Sequence, residues 1–175
     1  MSAKLKYFTK AEWTLWLGSV SVILLSFVVF QQNDYLSLTA SLIGVTALIF
    51  NAKGNPFGQV LGIAFSLLYG YISYTCSYYG EMITYLGMTA PMSLWALLCW
   101  LRHPYGAGRA EVKVGSISRR EAAFAVALSI AVTVVFYFIL RAFGTANLLP
   151  STLSVTTSFL AVYLTARRSP LFAVA

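Results

Sequence analysis

The stretch at residues 35–76 reads YLSLTASLIGVTALIFNAKGNPFGQVLGIAFSLLYGYISYTC, and it decides the fold. Two apolar runs, 35–50 and 57–76, flank a short polar break that carries the stretch's one charge, Lys53. Each run approaches the roughly 17–25 residues that a helix rising about 1.5 Å per residue needs to cross a hydrocarbon layer about 30 Å thick. The break between them is long enough only for a tight turn. The stretch therefore reads as a helical hairpin through a membrane.

Working outward, the same pattern recurs at 13–30, 82–101, 122–140 and 148–166, which makes six runs. The whole chain of 175 residues is 59% hydrophobic and 10% charged, with a mean hydropathy of +0.76; a soluble domain carries roughly 25% charged residues. No Asp, Glu, His, Lys or Arg falls inside any of the six runs. A soluble bundle would need polar faces that these runs lack, and a barrel would need a period of two. Lys4, Lys6 and Lys10 precede the first run as they would precede a signal peptide. No small-residue cleavage site ends it, and it closes on Gln31-Gln32-Asn33-Asp34, so it is read as a mature helix.

Loop charge sets the expected orientation. The N-terminal segment and the second, fourth and sixth gaps hold eleven of the twelve basic residues, and Arg141 alone lies in the others. Cytoplasmic loops retain Lys and Arg, which puts the N-terminus and the even gaps inside. The net charge of +7 is thus a topology signal. Spread over four short loops, it forms no nucleic-acid stripe and offers only a contact with anionic lipid. Cys76 and Cys99 end successive spans on opposite faces, so they predict no disulfide, and no metal ligand set or cofactor motif is present.

An internal repeat emerges from the same loops. Ala52-Lys53-Gly54-Asn55-Pro56-Phe57 and Ala166-Arg167-Arg168-Ser169-Pro170-Leu171 are offset by 114, and Glu12 and Glu121 by 109. The hydroxyl-rich Ser37-Leu38-Thr39-Ala40-Ser41 falls near Ser151-Thr152-Leu153-Ser154. Parallel repeats are one of the transporter plans, with substrate bound between the halves near the midplane. The expected fold is an all-α integral membrane protein, a 3+1+3 parallel-repeat helix bundle in a single transmembrane domain. It has a first repeat at 11–76, a linker helix at 82–101 and an incomplete second repeat at 121–175. Six transmembrane helices are complete in this plan, and Leu171 to Ala175 would start a seventh that continues in a longer natural protein.

Gly58, Gly62, Ser66 and Gly70 form a small-residue ridge that invites a close helix neighbour. Tyr71, Tyr74, Tyr78, Tyr79, Trp13, Trp16 and Trp100 read as interfacial aromatics. Glu12, Glu81 and Glu121 stand at helix starts, where a carboxylate complements the dipole. The hydroxyls of 151–158 either bond their own backbone or face a polar ligand. Spans without Asp, Glu, His, Lys or Arg disfavour a proton relay, an ion-coupling site or an intramembrane enzyme. A passive facilitator is expected.

Ala52-Lys53-Gly54, Tyr69-Gly70-Tyr71-Ile72-Ser73-Tyr74, Tyr79-Gly80-Glu81-Met82 and Pro91-Met92 resemble the PnuC family of bacterial vitamin transporters, over about residues 36–101. The resemblance implies two parallel three-helix bundles joined by a linking helix, as in the sugar-carrying SWEET proteins. It also implies facilitated uptake of nicotinamide riboside across the bacterial inner membrane for NAD synthesis, with capture by a cytoplasmic kinase. Ser93 and Tyr85 stand where nicotinamide riboside carriers tend to have Gln and Asn. Another nucleoside, thiamin or riboflavin therefore remains an alternative substrate, and a non-transporting subunit that binds a partner through 102–120 is the reading from a different class. Substrate-binding expectations fall on Asn51, Tyr69, Tyr85, Trp95, Thr156 and Thr157, as stacking and hydrogen-bonding groups for a ribosylated heteroaromatic. Oligomeric state stays open, a homo-oligomer included.

Overall fold

Helix α1 (Lys10–Val29) starts ahead of its apolar run because a capping box starts it: the Glu12 N–H donates to the Thr9 hydroxyl and the Thr9 N–H to the Glu12 carboxylate. The chain then forms α2 (Tyr35–Ala52), α3 (Phe57–Thr75), α4 (Tyr79–Leu101), α5 (Arg119–Ala142) and α6 (Leu148–Ala166). Asp34 caps α2, and hydrogen bonds from the Ser37 hydroxyl and N–H hold its carboxyl below the usual carboxylate range. Ser118 and Glu121 repeat the capping box at α5. This computed structural model describes residues 8–30, 34–106, 111–145 and 148–169.

Among the described residues, these six helices are long and apolar enough to cross a membrane. Large apolar side chains cover the exterior, such as Leu15, Val22 and Val28 on α1 and Phe124, Ile130 and Phe138 on α5. Water would penalise such a surface, whereas lipid tails are as apolar as leucine. The chain is a multi-pass membrane protein.

Helices α2 and α3 form one hairpin and α5 and α6 another; α4 packs against both α3 and α6, and α1 leans on α2. A core joins Met88 of α4, Ala125 and Leu140 of α5, and Val155, Phe159 and Tyr163 of α6. The small-residue ridge of α3 is what admits its neighbours. A Cβ on Gly70 would lie 2.6 Å from Leu86 of α4, and one on Gly58 would lie 2.6 Å from the Asn51 backbone nitrogen.

Four helix ends share one device. Gly54, Ser77, Gly144 and Arg168 adopt left-handed backbone, with φ of 67°, 61°, 64° and 59°. Each donates its N–H to the carbonyl three residues back, and the following residue donates to the carbonyl five residues back, at 2.8–3.1 Å. This is the Schellman motif, which satisfies carbonyls that a helix terminus orphans.

Two of these ends match at the offset of 114. The Gly54 and Asn55 N–H groups bond Asn51 and Phe50, as Arg168 and Ser169 bond Thr165 and Leu164. Beside them, Lys53 pairs with Glu12 at 3.0 Å and Arg167 pairs with Glu121. Glu12 and Glu121 thus do more than complement a dipole, since each also ties the start of one helix to the end of the next, α1 to α2 and α5 to α6. The loop after α4 then bridges the two ends, with the Val112 N–H donating to Gly54 at 2.8 Å and the Gly115 N–H to Arg168 at 3.0 Å. Trp100 joins this strap. Expected at the interface, it is instead buried and donates its indole N–H to the Thr165 carbonyl at 2.7 Å.

Helix α4 is not regular. Between α-helical Tyr79–Ile83 and Ala90–Leu101, residues Thr84–Thr89 form a π-helical segment. The Ala90 N–H bonds the Tyr85 carbonyl, five residues back. Pro91 follows, and because it has no N–H to donate, the regular ladder is broken there in any case.

Candidate functional site

The π-helical segment matters because of what it does to side chains. With i→i+5 spacing, Thr89 sits above Thr84 and its hydroxyl bonds the Thr84 carbonyl at 3.3 Å. Thr84, Tyr85 and Thr89 thereby face one side together, into a cavity of about 930 Å³. That volume is at the upper end of the usual range for small-molecule sites. A second hollow of about 200 Å³, between α1 and α2, is lined by Phe8, Glu12, Trp13, Trp16, Thr46, Ile49 and Phe50. It offers a ligand few polar groups.

Three structural parts build the large cavity. Helices α3 and α4 supply Tyr69 and Tyr85, whose rings lie 4.5 Å apart at 50°. Phe65 backs both, nearly parallel to Tyr69 at 5.6 Å and edge-on to Tyr85 at 5.9 Å. Helix α6 supplies Ser151, Ser154 and Ser158, which line the cavity at i, i+3 and i+7 and so share one helical face. The turns after α3 and α5 supply the rim, through Ser77, Tyr78 and Tyr79 on one side and Phe143, Gly144 and Thr145 on the other. Two of the Schellman turns therefore contribute to one end of the lining. The strap and the basic loops lie at the opposite end of the helices.

Gly80 lets the rim close up. A Cβ there would strike the Thr145 hydroxyl and lie 2.7 Å from Leu140. The Thr145 hydroxyl is itself buried with no hydrogen-bond partner among the described residues.

Of the six expected binding residues, the structure brings two together in this cavity, Tyr69 and Tyr85. Asn51 lies at the far end of the α2–α3 hairpin, accepting from the Gln59 amide at 2.9 Å. Trp95 sits 6.0 Å from Tyr163 and outside the lining. The Thr156 hydroxyl meets the Thr133 hydroxyl at 2.7 Å and so faces α5. Thr157 is exposed and bonds the Ser154 carbonyl at 3.1 Å. The hydroxyl-rich helix is the one expected, but the cavity takes its other face. Ser154 and Ser158 were legible from their i, i+4 spacing; Thr84 and Thr89 were not, because a regular helix would separate them. Cys76 and Cys99 are both free.

Three comparisons with known proteins bear on this geometry. The model of a family described as nicotinamide mononucleotide transporter matches residues 34–173. A relative, the nicotinamide riboside transporter PnuC of Neisseria mucosa, is 30% identical over 141 residues, covering 78% of this chain and 52% of the relative. The chain spans about half the length of that relative. A crystal structure of the vitamin B3 transporter PnuC superposes with a TM-score of 0.79 at 26% identity, covering 95% of this chain and 72% of the solved one.

Proposed function

The chain belongs to the nicotinamide mononucleotide transporter family, and from that premise we propose that it carries nicotinamide riboside by facilitated diffusion through the cavity of α3, α4 and α6. The observation that carries this reading is the make-up of that cavity. A tyrosine pair offers faces to a flat ring, and the hydroxyl ridge of Ser154 and Ser158 offers partners to a ribose. The names of the similar proteins, which specify nicotinamide riboside and vitamin B3, support the substrate.

Six apolar runs without an Asp, Glu, His, Lys or Arg support a passive carrier over a pump and over an enzyme. In this reading the N-terminus and basic loops face the cytoplasm of a bacterial inner membrane, and the cavity opens to the outside. The paired capping boxes, ion pairs and matched helix ends support a parallel repeat in which α4 links the halves. Net uptake then depends on a cytoplasmic kinase that phosphorylates the substrate. Radiolabelled nicotinamide riboside and a deoxynucleoside, offered to cells making the full-length protein, test the reading. Saturable uptake of the riboside is expected; saturable uptake of the deoxynucleoside alone would reassign the substrate, and uptake of neither would refute transport.

A further inference from the structure

Among the described residues that line the cavity, Glu81 is the one that bears a charge at neutral pH; no Lys, Arg or His shares the lining. Its situation differs from that of the other helix-start glutamates. Glu12 and Glu121 are each held in a capping box and an ion pair. The Glu81 carboxylate has no hydrogen-bond or ion-pair partner among the described residues, and it is exposed. Tyr69 and Tyr85 line the same space, and the faces of tyrosine rings attract cations. A carboxylate and two aromatic faces with no opposing cation make a field that favours positive charge and disfavours phosphate.

We infer that Glu81 is a charge-selecting residue of this cavity, favouring a nucleoside whose ring is a pyridinium cation over a neutral nucleoside of the same shape and over its 5′-phosphate. The inference rests on the transport reading above and adds to it a residue and a rule of discrimination. Because Glu81 is exposed, solvent screens it, and the preference it supplies is about threefold to tenfold. It shrinks as ionic strength rises, as the attraction of a screened charge must.

The test uses the full-length protein in vesicles and two probes of nearly equal shape, cationic nicotinamide riboside and its neutral 1,4-dihydro form. Wild-type protein is expected to prefer the cation. Glu81→Gln is expected to lower that preference by about threefold to tenfold, chiefly through the affinity for the cation, with a larger loss for the cation than for the neutral form. Glu81→Asp should retain it. A Glu81→Gln protein that transports both probes equally less well would show that the carboxylate serves the helix start alone, and an unchanged ratio would likewise overturn the inference. Wild-type uptake of both probes without preference would sink charge selection yet leave the transport reading intact, whereas wild-type uptake of neither would sink that reading itself.

Discussion

At the scale of single residues, two kinds of position matter most to fold and site. The first is the left-handed helix end. Gly54 and Arg168 occupy equivalent positions, but Arg168 holds its φ of 59° with a Cβ present, a conformation that costs a residue other than glycine about 1 kcal/mol. Arg168→Gly should therefore raise the midpoint of thermal unfolding in detergent. Gly54→Ala should lower it, by the equivalent of about 1–2 kcal/mol, because the new Cβ would also lie 3.2 Å from Val112. The second kind is the tyrosine pair. Tyr85→Ala removes a stacking face and is expected to weaken nicotinamide riboside binding about threefold to tenfold, while Tyr85→Phe keeps the face and most of the affinity. Titration of the purified protein with the riboside would separate the two. What the sequence told about these residues was uneven. Tyr69 and Tyr85 were legible as inward aromatics on apolar helices. Trp100 was not, because its place near a helix end looks the same whether its indole N–H meets lipid headgroups or the Thr165 carbonyl.

At the scale of elements, hydropathy found the six helices of the described residues and the starts of α2, α3 and α6, but set the starts of α1, α4 and α5 about three residues late. It measures the solvent, whereas capping boxes at Thr9–Glu12 and Ser118–Glu121 set the first turn, so α1 and α5 begin ahead of their apolar runs. The facing of α6 was beyond hydropathy for a related reason. Serines and threonines are spread around its first half, and only packing against α5 decides that Thr156 turns toward Thr133 while Ser154 and Ser158 turn to the cavity. The π-helical segment of α4 had one sequence signal, Pro91. Pro91→Ala restores an N–H that can rejoin a regular ladder. It is expected to relax the π-helical segment, move Thr84 and Thr89 apart and reduce transport more than it reduces thermal stability. Parallel uptake and unfolding measurements would show this, and equal losses in both would count against it. The strap behaves oppositely. A Cβ on Gly115 would lie 2.7 Å from the Arg167 carbonyl, a backbone atom that cannot swing aside, so Gly115→Ala is expected to lower stability.

At the scale of the whole molecule, the two ends of the bundle differ. One is tied by ion pairs, matched helix ends, the strap and Trp100, and the other opens into the cavity between two Schellman turns. The basic loops share the tied end, so positive loop charge and the closed side coincide. The two native cysteines report on this polarity, since Cys76 is exposed at the open end and Cys99 is half-buried toward the tied end. A membrane-impermeant maleimide applied to intact cells should label Cys76 and spare Cys99; the reverse pattern would invert the orientation. Facilitated diffusion itself is tested most directly with the full-length protein in sealed proteoliposomes holding no kinase and no ion gradient. Saturable entry of labelled nicotinamide riboside that stops when the inner and outer concentrations are equal is expected. Accumulation above the outer concentration when an ion gradient is imposed with the membrane potential held at zero, or no saturable entry at all, would contradict facilitated diffusion.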